Sequence, residues 1–147
     1  MAAQIHTEGR QYMQEVAFSE QQSVPANFYV GLCTDVTIAE NASLSSLTEL
    51  ADPTDYDYER YALASSAVGW TSASTGTNDR KITSNGIAFS TATSGSIWTK
   101  AESWFLATTI DDSGKLIMSG PLNSGSGWTV SAGGAPLEFD IQFIFPG

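Results

Sequence analysis

The sequence predicts a mainly β, single-domain fold of β-sandwich or jelly-roll type with one N-terminal helix. Three observations predict it. Short apolar runs alternate at period two and are separated by Gly, Ser, Thr and Asn turns. The helical period of about 3.6 residues occurs once, near the N-terminus. The chain of 147 residues is 41% hydrophobic and 11% aromatic, enough to bury a core without covalent staples. No repeat or linker interrupts it, so one domain is expected over residues 1–147.

Tyr12, Met13, Val16 and Ala17 recur at helical spacing, which predicts a helix over residues 7–20 with Thr7 as an N-terminal cap. Gly9 weakens its first turn. Its end is expected before Val24-Pro25, because a residue preceding proline is pushed out of the α region. Residues 28–33 then form a strand with apolar side chains on both faces. Residues 34–57 read as a long loop with a short helical turn around Leu44, Leu47 and Leu50. Loops of this length are commonly functional or in contact with something. Short strands follow at residues 58–63, 68–71, 81–83, 87–89 and 97–98, with an exposed loop tip over 72–79. Residues 101–108 and 115–119 flank Asp111-Asp112-Ser113-Gly114, a turn cluster that predicts a hairpin. A strand at 128–130 precedes the clearest one, residues 137–145. There Leu137, Phe139, Ile141, Phe143 and Phe145 face one way and Glu138, Asp140 and Gln142 the other. Ile144 breaks that alternation, so the tip of this strand is expected to be covered on both sides.

Charge excludes some partners. The net charge is −10, with six Lys and Arg against sixteen Asp and Glu. The basic residues are scattered, with only Arg80 and Lys81 adjacent, so neither nucleic acid nor an anionic membrane is an expected partner. Charged residues make up 15% of the chain, against about 25% in an average soluble domain. Hydroxyl side chains take their place, and such a surface costs little to desolvate against a neighbour. The single cysteine, Cys33, lies in an apolar run and is expected to be a buried, inert thiol. Residues 1–9 show neither a basic nor an apolar leader segment, and no stretch reaches the length of a membrane span. Synthesis and folding in a reducing cytoplasm are therefore expected.

Catalytic chemistry finds few candidates. Ser or Cys nucleophiles need a positioned base, and the only histidine, His6, stands in a terminal segment where fraying is expected. One Cys and one His do not make a zinc site, and no Gly-rich phosphate loop is present. Asp52, Asp55, Asp57 and Glu59 crowd together. They read as a solvated acidic loop, a cation site or interface charge, without the glycine and spacing of an EF-hand. No metal and no cofactor are assigned. Trp70, Trp98, Trp104 and Trp128 fit either a core or a sugar-stacking platform. Trp104 belongs to an apolar run and is assigned to the core, while Trp98 and Trp128 sit beside polar turns. The candidate contact residues are Tyr12, Met13 and Val16 on the helix, Leu44 and Leu47 in the long loop, and Trp98 and Trp128.

The order of segments carries a resemblance. A helix leads into Pro25-Ala26-Asn27-Phe28-Tyr29-Val30-Gly31-Leu32-Cys33-Thr34, then an acidic loop and Tyr58-Glu59-Arg60-Tyr61-Ala62-Leu63. Ile82-Thr83-Ser84-Asn85-Gly86-Ile87-Ala88-Phe89 and Trp104-Phe105-Leu106-Ala107 follow. The close is Asp112-Ser113-Gly114-Lys115-Leu116, Ser119-Gly120-Pro121-Leu122 and a terminal alternating strand. Over most of residues 7–145 this order resembles the small virion proteins of tailed bacteriophages described as tail-fibre-like or head-decoration proteins. The tail Phe145-Pro146-Gly147 is more aromatic than that pattern. The resemblance implies a small β-sandwich without enzymatic activity, and it supplies no catalytic residues. It implies a capsid decoration or cement subunit, often trimeric, that binds the major capsid protein or other virion subunits. A tail-fibre or tail-tip subunit is the alternative within that class, and a carbohydrate-binding module the alternative outside it.

Overall fold

The period-two run ending at Cys33 becomes the centre of the molecule. The computed structural model describes residues 3–50, 58–74, 79–89, 100–129 and 135–145. Its strands are β1 (Gln4–Ile5), β2 (Asn27–Cys33), β3 (Tyr61–Ala64), β4 (Trp70–Ser74) and β5 (Arg80–Ser84). They continue with β6 (Ile87–Phe89), β7 (Ser103–Ala107), β8 (Leu116–Pro121), β9 (Leu137–Phe139) and β10 (Gln142–Phe145). All described pairings are antiparallel. They build a five-stranded sheet in the order β1-β8-β7-β2-β3, a three-stranded sheet β10-β5-β4 and the pair β6-β9. The mainly β fold with one short helix is thus the observed one.

Two apolar layers flank β2, which explains why it is apolar on both faces. Val30 and Leu32 join the main core with Leu63, Trp104 and Leu106 of the same sheet and Ile87, Phe89 and Leu137 of the β6-β9 pair. Trp70 and Phe143 of the three-stranded sheet pack on its border. On the opposite face Cys33, Phe105, Ala107 and Leu116 form a second cluster with Ile38 and Leu44 of the long loop. Gly31 lies opposite Phe105 in the β2–β7 register. A Cβ at Gly31 would stand 2.2 Å from the Phe105 ring, so the ring crosses β2 only where the side chain is a hydrogen.

The described part of the long loop, residues 34–50, is therefore a cover over the sheet. Thr34 N–H donates to the Thr48 carbonyl at 2.9 Å and Leu50 N–H to the Leu32 carbonyl at 2.9 Å. Ser103 Oγ donates to the Asp35 carbonyl at 2.7 Å. The expected helical turn is present as a 3-10 turn at Leu44–Ser46, closed by reciprocal Ser43 and Ser46 bonds.

The helix expected over residues 7–20 is present in its extent, and several other expectations are corrected. The helix α1 spans Thr7–Gln14 and continues as a π-helical turn over Glu15–Ser19. It stops at Glu20 in a left-handed conformation (φ 53°), short of the proline. Thr7 is not the cap: His6 holds that position with extended backbone and makes no side-chain capping bond. The terminal strand is broken, because its first half (β9) pairs with β6 and its second half (β10) with β5. Its one-sided pattern fades with the break, from fully buried Leu137 and Ile141 to Phe145, 39% exposed. Ile144 is 51% exposed, so the tip is not covered on both sides. Of the strand expected at 128–130, Trp128 makes an isolated bridge to Ala101, and residue 130 lies outside the described residues. The strand expected at 97–98 and residues 75–78 of the expected loop tip lie outside the described residues, whereas 72–74 belong to β4.

Burial along the last segment sets the first test. Ile141→Ala is expected to cost about 2–5 kcal/mol, while Ile144→Ala stays within about 0.5 kcal/mol. Urea unfolding of the two variants measures the difference.

Candidate functional site

Arg60 enters the domain just ahead of β3, with its side chain 4% exposed. Burying a guanidinium costs several kcal/mol unless each of its donors is satisfied. Here all five are. Nε donates to Glu49 Oε1 at 2.9 Å and Nη2 to Glu49 Oε2 at 2.6 Å, the two-pronged match of guanidinium and carboxylate. The second Nη2 donor reaches Asp112 Oδ1 at 2.5 Å. Nη1 donates to the carbonyls of Thr109 at 3.2 Å and Asp111 at 2.6 Å. The guanidinium carbon stands 5.1 Å from the centroid of Phe105, in cation–π range. Desolvation works against this charge, but the bonds from Glu49 and Asp112 outweigh it and hold the pKa above its ordinary value.

Neighbouring groups extend the network. Tyr58 Oη donates to Glu49 Oε1 at 2.8 Å and accepts from Leu32 N–H at 2.8 Å. Burial, and then the Glu49 charge, push its phenol up. Asp111 is fully exposed and accepts from Ser113 N–H and Oγ, which lowers its pKa. These bonds form the turn expected at Asp111-Asp112-Ser113-Gly114.

Beside this network the surface is concave. A groove of about 350 Å³ is lined by Tyr29, Glu59, Arg60, Tyr61, Phe89 and Ile110, among others. A second hollow of about 320 Å³ runs on from it, sharing Tyr29 and Ile110 and adding Pro25, Asn27, Thr109 and Asp111. Ile110 is 60% exposed. Four carboxylates, Glu49, Glu59, Asp111 and Asp112, stand around the single guanidinium, a local excess of three negative charges at neutral pH.

The predicted contact residues are not brought together. Tyr12 is buried, its ring edge-on to Phe28 and its hydroxyl donating to the Ser23 carbonyl. Leu44 is buried in the second cluster, with Leu47 half-buried against it. Their apolar faces are spent inside the domain, so Tyr12 and Leu44 offer a partner nothing. Met13 is half-buried, and Val16 packs on the border of the main core. Trp128 is partly exposed, and Trp98 lies outside the described residues. Of the acidic run, Asp52, Asp55 and Asp57 also lie outside them, and Glu59 is exposed at the groove. Trp104 is a core residue, as expected.

His6 overturns the expectation of a frayed terminus. It is fully buried, held by β1 pairing with β8 and by its own N–H to the Ile117 carbonyl at 3.0 Å. The Glu40 carbonyl, 3.2 Å from Nδ1, can only accept, so that nitrogen carries the proton. Nε2 then accepts from Ser119 Oγ at 2.7 Å. Burial lowers the pKa, more than the carbonyls of Glu40 and Ala39 raise it. Cys33 meets its expectation: fully buried, with its thiol pushed up to about 12 by desolvation.

No protein-family model matches the chain, and no curated protein matches it at a significant level. Among the described residues no helix is long and apolar enough to cross a membrane.

Two tests follow from these geometries. Arg60→Ala strands Glu49 and the hairpin carbonyls. It is expected to cost about 3 kcal/mol, the low end for a buried pair because Asp112 is half exposed, and Arg60→Lys restores only part, since an ammonium lacks the five-donor fork. Chemical denaturation reads both. For His6 the folded pKa lies below the unfolded one, so its contribution is present above pH about 6.5 and is lost as pH falls toward the folded value. Stability is expected to decline below that pH by at most about 1.4 kcal/mol per unit from this group. The decline should shrink in His6→Gln when melting is followed from pH 8 to 5.

Proposed function

We propose that this protein is a non-enzymatic structural subunit of a virion, a capsid decoration or cement protein that binds the outer capsid surface as a homotrimer. The observation that carries this reading is how the fold spends its ionisable and its apolar groups. His6, Cys33, Tyr58 and Arg60 are turned inward onto protein partners. Phe18, Val36, Val68, Ile110 and Ile144 are each more than half exposed on an acidic surface rich in hydroxyls. A surface of that kind suits docking, because apolar contacts form there with few charges to desolvate. The segment order shared with head-decoration proteins supports the choice of a virion. A cement subunit works by adding interface area between capsomers, and residues 34–50 of the long loop are fastened to the sheet beneath them.

Deleting residues 1–20 would not isolate the helix, since it also removes β1 and His6. The test therefore uses the full chain, added back to particles assembled without it and imaged by cryo-electron microscopy. Density at regular positions on the capsid exterior, together with a trimeric mass in sedimentation, is the expected result. Density confined to the tail would move the protein to the tail-fibre reading. A strictly monomeric chain that never co-sediments with particles, or one that binds glycans through Trp128, would overturn the virion reading.

A further inference from the structure

We propose that the far end of the β10-β5-β4 sheet is a self-association surface that seats in the Tyr29–Ile110 groove of a second copy of this chain. The contact gives the proposed oligomer its geometry and rests on that reading for the number of copies. The first support is the distribution of exposure. The base of this sheet packs on the main core through Trp70 and Phe143, but toward its far end Ala73, Ser74, Arg80, Ile144 and Phe145 are exposed and Lys81 is half-buried. Register fixes what stands there. Phe145 lies opposite Arg80 and Ile144 opposite Lys81, and directly opposed residues share a face. Each face of the projecting end thus presents one large apolar side chain and one base. Ile144 and Phe145 are 51% and 39% exposed.

The second support is charge. Arg10, Arg60 and Lys100 are spent on Glu40, Glu49 with Asp112, and Glu102. Of the other three bases, Lys115 stands alone before β8, and Arg80 and Lys81 form the adjacent basic pair in a chain of net charge −10; none of the three has an ion-pair partner among the described residues. The groove is the complement: concave, apolar at Tyr29 and Ile110, and acidic at Glu59 and Asp111. An exposed basic-apolar sheet end and a concave acidic-apolar groove on one chain match each other, not themselves. The contact is therefore heterologous, and such contacts close into rings when the rotation permits. A three-membered ring uses every end and every groove once.

Charge exchange tests it on the full chain. Arg80→Glu/Lys81→Glu, both on the solvent-open end of the sheet, is expected to weaken self-association at least about tenfold in sedimentation velocity. Glu59→Lys/Ile110→Lys is expected to do the same; the two variants mixed should pair with each other in alternation, and a three-membered ring should return only when all four exchanges are combined in one chain. Circular dichroism melts at wild-type temperature show that the variants are folded. Unchanged association of the Arg80→Glu/Lys81→Glu variant, or failure of the two variants to pair when mixed, overturns the contact. A variant that is monomeric but still decorates particles supports this contact and removes the trimer from the virion reading. An intact oligomer, dissolved by the exchange, that never binds particles sinks the virion reading alone.

Discussion

Five hydrogen bonds from one guanidinium hold three separate stretches of chain in place. Glu49 ends the long loop, Arg60 precedes β3, and Thr109, Asp111 and Asp112 form the tip between β7 and β8. Beneath the guanidinium lies the Phe105 ring, and beneath the ring lies Gly31 of β2. The stack works as a unit. Without the hydrogen at Gly31 the ring could not lie flat across the strand, and without the ring the guanidinium would have no apolar floor. A lysine could supply the charge but not a planar fork reaching five acceptors in fixed directions. The cost of dehydrating Arg60 is offset only while all five acceptors stay in position, so this site imposes a single arrangement on loop, strand and hairpin.

That constraint explains the second apolar layer. A five-stranded sheet packed on one face only would leave Cys33, Phe105 and Leu116 facing water. Residues 34–50 fold back to cover them with Ile38 and Leu44, tied at one end by Glu49 and at the other by the Ser103 bond to the Asp35 carbonyl. The N-terminal segment is fastened to the same cover, with Gln4 Nε2 donating to the Ile38 carbonyl at 2.6 Å and His6 to Glu40. The buried side of the loop and of the terminal segment is structural for this reason, while the groove beside Arg60 and the far end of the small sheet stay open to a partner.

Periodicity made the middle of the strands legible. β2, β6, β7 and β8 fall within or beside the predicted runs, because each carries a two-residue alternation or a continuous apolar stretch bounded by turn residues. The helix and the hairpin turn were legible for the same kind of reason. Pairing partners were not. The alternation from Leu137 to Phe145 passes unbroken through Asp140, yet the chain changes sheets there, since side-chain period encodes a face and not a neighbour. β1 is two residues long, too short to have a period, and so His6 read as a loose end. The apolar spacing of Tyr12 and Leu44 located burial correctly and gave no sign of whether the cover belonged to the same chain. Arg60 did leave a signal: an arginine beside Tyr58, Tyr61 and Leu63 in a strand-like run needs a buried acid to accompany it.

Electrostatic range decides how a chain this acidic could self-associate at all. Two copies of net charge −10 repel at long distance, but at physiological salt the Debye length is about 8 Å, and the repulsion between distant surfaces is largely screened. A contact that brings Arg80 and Lys81 within hydrogen-bonding reach of Glu59 and Asp111 operates inside that length and is screened least. The surplus negative charge then opposes every other approach, including end-to-end stacking of finished rings. An acidic body with one adjacent pair of unpaired bases, Lys115 standing singly elsewhere, is thus suited to a limited assembly: a second unpaired basic pair would offer a second route to growth.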